Sequence, residues 1–320
     1  MKKFPSIEQF RNVIRSVKER HDYKGKDELE QPIYRRDEPY PVLTFTGTVK
    51  LHGTNAAVVL YKDGHTEYQS RENVLSLTKD NAGFMLNMSG KNLDFLFDGI
   101  DFEDYIAVYG EWCGQGIQKG VAISGLPKMF VVFGCKVDDN WIDFERFDNE
   151  QGIYNINQFP TYSIDIDFNQ PELAQTKLIE MTIQVEDKCP VGKYFGVSGV
   201  GEGIVFKCNY NGQQYTFKSK GEKHSASKVK TIASVNVDEI NSINEFVDYV
   251  LTESRLQQGI DKLKETGKTV DQKSTGDYLK WIVGDVLKEE NDTIVANQLD
   301  VKKVCSAISN KARIWYFQNF

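Results

Sequence analysis

Four short stretches of this chain carry residues suited to phosphoryl chemistry. In TVKLHGTNAAVV, residues 48–59, Lys50 ends one strand-like run, and His52-Gly53-Thr54-Asn55 reads as a turn before the next. A lysine amine attacks phosphorus only when it has lost its proton, so that role needs burial or neighbouring positive charge to lower its pKa. On its own, a lysine at a strand end is a solvated charge. In VYGEWCGQGIQ, residues 108–118, Glu111 follows an apolar strand and precedes a glycine-rich loop. A carboxylate there can hold a ribose hydroxyl, a metal or the waters of a metal. GEGIVFK, residues 201–207, sets Glu202 ahead of a strand ending in Lys207, and TFKSKGEK, residues 216–223, sets Lys218 and Lys220 on one strand face. Two ammonium groups so placed repel each other unless an anion lies between them, and a triphosphate meets that need.

Lys218, Lys220, Lys223, His224, Lys228 and Lys230 form the densest basic run of the chain. Such runs are usually solvated, but this one falls where strand-like sequence gives way to helical sequence, a natural place for a phosphate-binding cleft. The familiar nucleotide signatures are missing. ETGKTV holds Gly-Lys-Thr, but Lys262 occupies the place of the earlier glycine of a P-loop. GVSGVGEG does not complete a dinucleotide fingerprint.

These residues need a scaffold, and residues 40–220 supply strand-like runs for one: PVLTFTGTV, AAVVLY, IAVYGEW, MFVVFGCKV, GIVFKC and QQYTFKSK. Asp63-Gly64, Asp139-Asn140 and Asn211-Gly212 separate several of them, and an Asn-Gly between two such runs signals a hairpin. Few helical patterns interrupt, so a largely antiparallel core is expected. The polar stretch from about 140 to 200 lacks a clean period and reads as a small excursion from the sheet. Near the N-terminus, Ser6 and Gln9 form a capping-box pattern ahead of Ile7, Phe10, Ile14 and Val17 at helical spacing. After residue 232 the pattern becomes helical: Ile240, Ile243, Val247, Val250 and Leu251, then Tyr278 through Leu287, then Val301, Val304, Ile308 and Ile314. HSASKVKTIASVN, residues 224–236, suits a linker.

The chain has 320 residues, 40% hydrophobic and 27% charged, the composition of a soluble globular protein with a sizeable core. No apolar run approaches the roughly 18 residues that span a bilayer, and the basic N-terminus lacks the apolar stretch of a secretory signal. Five scattered cysteines, Cys113, Cys135, Cys189, Cys208 and Cys305, include no Cys-x-x-Cys pair, so neither a zinc site nor a disulfide framework is expected. A bacterial or phage-infected host cytoplasm suits that usage. The net charge of −7 argues against a protein coated in basic charge, yet a local basic groove still attracts nucleic acid at short range.

Lys-x-His-Gly-Thr-Asn, Ser-Arg-Glu, a strand ending Tyr-Gly-Glu, Glu-Gly-Ile-Val-Phe-Lys and Lys-x-Lys, in this order, closely resemble the covalent nucleotidyltransferases. That superfamily holds the ATP-dependent DNA ligases, the RNA ligases and the mRNA capping enzymes. The sequence looks most like the RNA ligases of the phage RNA ligase 2 and kinetoplastid editing type, which carry histidine where the others carry aspartate after the lysine. KLHGTN and GEWCGQGIQKG are the most specific matches. The resemblance implies an α+β fold: an antiparallel-sheet adenylyltransferase domain over 1–232 and a small all-helical C-terminal domain over 233–320.

It also implies roles. Lys50 would form the phosphoramide bond to AMP, with His52 beside it and Gly53 and Asn55 completing the nucleotide-binding turn. Arg71 would support nucleotide transfer, Glu111 would contact the ribose, and Phe133 would stack on the adenine. Glu202 would hold Mg2+ or Mn2+, and Lys218 and Lys220 would bind the phosphates of ATP. Those lysines and the metal would also lower the pKa of Lys50. Arg255, Asp285 and Glu289 match positions tied to sealing, although an exposed helix with a surface ion pair would look the same. An aspartate is expected after Phe133; Gly134 stands there, with Asp138 and Asp139 as substitutes. The partners implied are RNA ends, nicked duplex RNA or an RNA–DNA hybrid, with no membrane and a monomer as the default. The competing expectations are a DNA ligase, a capping guanylyltransferase, or an inactive homologue that only binds nucleic-acid ends. His52 and the helical C-terminus disfavour the first two, and Gly134 is the sole support for the third.

Overall fold

The structure, a computed structural model, describes residues 1–221, 224 and 243–320. The boundary expected at 232–233, the linker at 224–236 apart from His224, Ile240, and the lysines 223, 228 and 230 lie outside the described residues.

Two antiparallel sheets form the body. The first has the order β10 (Thr161–Asp167), β3 (Val42–Lys50), β11 (Gly203–Tyr210) and β12 (Gln213–Lys220). Strict alternation explains β3: Phe45, Gly47 and Val49 point into the core, while Thr44 and Thr46 face water. The second runs β5 (Thr66–Ser70), β4 (Thr54–Tyr61), β6 (Tyr105–Cys113), β7 (Met129–Val137) and β8 (Asn140–Ile142), with β9 (Ile153–Asn155) joining β7 in parallel. Its central strands are apolar on both faces because both are covered, one by the cluster of Phe84, Leu96, Trp112 and Phe130. A small hairpin of β1 (Tyr23–Lys26) and β2 (Pro32–Tyr34) stands apart. The β11–β12 turn places Asn211 and Gly212 both at positive φ, which is why Asn-Gly occupies it.

Two expectations need correction. Helix α1 (Phe10–Asp22) begins after Gln9, whose side chain makes no cap, so Ser6 and Gln9 are no capping box. Glu8 instead extends the first sheet, its N–H donating to the Thr216 carbonyl at 3.1 Å and its carbonyl accepting from Lys218 at 3.0 Å. Edge pairing has won over local capping there. The stretch from 140 to 200 is also no small excursion. It contributes β8, β9, the edge strand β10, and helices α3 (Gln175–Asp187) and α4 (Pro190–Tyr194). The period of α3 is hidden because its buried face includes Thr182 and Glu186, while Ile179 and Ile183 are exposed.

The remaining elements are the helices α5 (Ile243–Val250), α6 (Glu253–Glu265), α7 (Thr275–Ala296) and α8 (Val301–Asn319). They close on their own core of Phe246, Ile260, Tyr278, Ile282, Val304 and Ile308, all fully buried. The whole is an α+β architecture of antiparallel sheets followed by a helical C-terminal region, as expected. Arg11 of α1 docks the two parts, reaching Glu290 at 3.2 Å and Asp292 at 2.8 Å. No helix among the described residues is long and apolar enough to cross a membrane.

Candidate active site

A cleft of about 1530 Å3 opens where the first sheet, the second sheet and helices α6 and α7 meet. Its centre is a carboxylate. Glu202, only 3% exposed, accepts from Lys50 Nζ at 2.8 Å through Oε2 and stands 3.0 Å from Lys220 Nζ through Oε1. Register brings the two lysines together, with Gly203 at the start of β11 between Lys50 of β3 and Lys220 of β12. Glu202, just outside the strand and ahead of the positive φ of Gly203, is freed from strand alternation to meet both. His52 Nδ1 is 3.5 Å from the same Oε2, and its ring meets that of His224 edge-on at 5.5 Å.

The charges set one another. Burial would raise the pKa of Glu202, but Lys50, Lys220 and His52 hold it well below the usual carboxylate range. Burial would lower Lys50, but the carboxylates of Glu202 and Glu111 outweigh it and hold the ammonium above its ordinary value. This corrects the expectation that Lys218 and Lys220 depress Lys50: the nearer carboxylates dominate. Lys220 is shifted down, by burial first and by Lys50 and Lys218 after it. Glu111 is pushed up to about 7, chiefly by burial, with Lys50 opposing. Its Oε1 accepts from the N–H of Gly53 at 3.0 Å. A side chain at position 53 would strike the Trp112 carbonyl at 2.4 Å, so the turn can close on β6 only with glycine.

The other residues of the KLHGTN and SRE motifs are nearby. Asn55 pairs with Glu111 across β4 and β6 and lines the cleft, as does exposed Arg71, whose positive charge reaches Lys50. Phe133 also lines it, half-buried, with Phe4 edge-on at 4.9 Å. Neither Asp138 nor Asp139 lines the cleft to stand in beside Gly134. Asp138 accepts from the backbone N–H groups of Glu103, Asp104 and Tyr105, and Asp139 bonds the Tyr105 hydroxyl, so both are committed away from the cleft. Trp141 takes the space instead: its ring would meet a Cβ at position 134 at 3.0 Å.

Lys218 departs from the group and pairs with Glu289 of α7 at 2.9 Å. Glu289 is held down at about 2, burial being overcome by Lys218, and Gln9 also donates to it. Arg255 is fully buried, with Nε on Asp285 at 2.9 Å and a guanidinium nitrogen 3.3 Å from Glu290. These three residues are thus no exposed surface pair. Arg255 and Asp285 hold the helices together, and Glu289 crosses to the sheet. Among the cleft's neighbours the motifs did not point to Asp261 of α6, raised by burial and close enough to feel His52. Only docking of α6 brings it there, and no local pattern announces that.

The cleft thus gathers lysines and oxygen donors on antiparallel sheets, the residue types that suit an anionic, phosphate-bearing ligand. The RNA ligase family model matches residues 43–220, more than half of the chain, and the chain belongs to that family. Among solved structures it is similar to the Naegleria gruberi RNA ligase with PPi, at 19% identity over 70% of this chain and 56% of that one, TM-score 0.44. It is likewise similar to a mutant of that protein with AMP and Mn (18%, 70% and 56%, TM-score 0.43) and to one with ATP and Mn (19%, 70% and 57%, TM-score 0.42). The chain thus spans just over half the length of these solved chains. No curated protein matches it.

Proposed function

We propose that this chain is an ATP-dependent RNA ligase that works through a lysyl-AMP on Lys50. The observation that carries the reading is the convergence of Lys50 and Lys220 on the buried carboxylate of Glu202, inside a cleft that also holds Glu111 and Phe133. Lys50 Nζ, once neutral, attacks the α-phosphorus of ATP; a P–N bond forms as the P–O bond to pyrophosphate breaks, and the amine loses a proton. The AMP passes to a 5′-phosphate oxygen of an RNA end. A 3′-hydroxyl then attacks that phosphate, forming the phosphodiester and releasing AMP.

Each step is a phosphoryl transfer, so positioning and charge neutralisation do most of the work. Glu202 orients Lys50; Lys220 and Lys218 neutralise the departing phosphates; Glu111 and Asn55 face the sugar, and Phe133 offers a ring to the base. A hard divalent cation, Mg2+ or Mn2+, suits the oxygen donors Glu202 and Glu111 and would add positive charge at the phosphates. The favoured substrate is a nick in duplex RNA or an RNA–DNA hybrid, bound by a monomer.

Incubation with α-labelled ATP and magnesium, followed by denaturing electrophoresis, tests the reading. The parent protein should retain label and Lys50→Ala should not. Label that persists in Lys50→Ala removes Lys50 as the nucleophile. Labelling by GTP alone would indicate a capping enzyme, and RNA binding without any label an inactive homologue.

A further inference from the structure

The face of the first sheet that carries Lys50 continues outward in even rows. Lys50 and Lys220 flank Gly203; one row out Thr48 and Lys218 flank Val205; one further, Thr46 and Thr216 flank Lys207. On β10, Thr161 and Ser163 stand opposite Thr48 and Thr46. The opposite face is core, with Phe45, Phe206 and Phe217 fully buried. Thr46, Thr161, Ser163 and Lys207 are exposed among the described residues.

Threonine suits a strand, so a solvated threonine ladder alone would carry no message. Two facts make it more. First, Thr46, Thr48 and Lys207 line the same cleft as Lys50, with Thr44 at its outer end donating to Asp165 at 2.6 Å, and α7 supplies a facing wall with Trp281 and Lys288. Second, Lys207 stands exposed on this face and makes no ion pair among the described residues, in line with Lys218 and Lys220, whose charges go to Glu289 and Glu202. Rows on a strand lie about 7 Å apart, twice the rise per residue, which is close to the step between successive phosphates of a nucleic-acid strand. Hydroxyls and an isolated lysine are the groups that contact phosphates and sugars without reading bases.

We propose that this threonine ladder seats the sugar–phosphate backbone of one RNA strand and leads its end to Lys50, a surface that rests on the ligase reading above. Hydroxyls donate to phosphate oxygens and can accept from ribose 2′-OH groups, and Lys207 supplies a single phosphate contact midway. Binding along the ladder is therefore sequence-independent.

The test uses the full chain, a nicked RNA duplex as probe, and two variants at exposed rows, Thr46→Glu/Lys207→Glu and the milder Thr46→Val/Lys207→Gln. Self-labelling by α-labelled ATP should match the parent in both. The Kd for the duplex should rise about tenfold or more in the first and several-fold in the second, with a shallower salt dependence once Lys207 is neutral. Unchanged Kd in both, with labelling intact, overturns the ladder. A parent that takes no label overturns the ligase chemistry instead, while the Kd comparison still decides the ladder.

Discussion

Lys218, on the last strand of the first sheet, and Glu289, on helix α7, form an ion pair at 2.9 Å that bridges the sheet and the helical region. If Lys218 serves a triphosphate, the carboxylate competes with the ligand for it. Glu289→Gln keeps the shape and the contact with Gln9 but removes the competing charge. A partly buried pair of this kind is worth ~1 kcal/mol, about fivefold in an equilibrium. The expected outcome is a fall of about that size in the KM for ATP in self-labelling. An unchanged KM would separate the pair from nucleotide binding.

As the proposed nucleophile Lys50 must be neutral to attack, yet Glu202 and Glu111 hold its ammonium above the ordinary lysine value. Single-turnover labelling should therefore rise with pH, about tenfold per unit while the amine is mostly protonated, across pH 6 to 8.5. A flat profile would mean that bound ATP has already displaced the two carboxylates and released the proton.

Much of this site is legible in the sequence because its chemistry is local. KLHGTN is one turn, GEGIVFK one strand entry, and Lys218 and Lys220 share a face by simple alternation. Hairpins announced by Asn211-Gly212 or Asp63-Gly64 are local too. What the sequence conceals depends on docking. Glu289 reaches Lys218 across 71 positions, and Asp261 nears His52 only because α6 lies over the cleft. Helix α3 is obscured for a different reason: Thr182 on its buried face bonds Ser219 at 2.5 Å, so a hydrogen-bonded polar residue interrupts the apolar period that would mark a helix. The counter-ions of Lys50 are equally hidden, because Glu202 and Glu111 lie far from it in sequence and meet it only through the fold.

Glu111 gives a stability signature. Burial pushes its pKa up to about 7, above the ordinary value of 4.5. A group raised on folding contributes stability that is complete below the unfolded pKa and lost as pH rises through the folded one. The parent protein should thus lose stability between about pH 4.5 and 7. Glu111→Gln mimics the protonated form and can still accept from Gly53, so it escapes this loss. Melting curves should show the variant more stable than the parent at pH 8 and the difference closing by pH 5. A difference independent of pH would indicate a change in packing instead.

Arg255 makes the strongest structural claim. It is fully buried and serves Asp285, Glu290 and the Val250 carbonyl at once, while Arg11 reaches Glu290 from the other part of the molecule. Removing one partner of a buried ionic group strands the others, at a cost of about 3–5 kcal/mol. Arg255→Met should therefore destabilise the helical region by roughly that amount in urea unfolding. Arg11→Met leaves Glu290 paired with Arg255 and should cost less, chiefly by loosening the docking of α7. The double variant tests the link: because both arginines share Glu290, the two losses should not add. Strict additivity would mean that the two guanidinium groups act independently and that the docking of α7 does not run through Glu290.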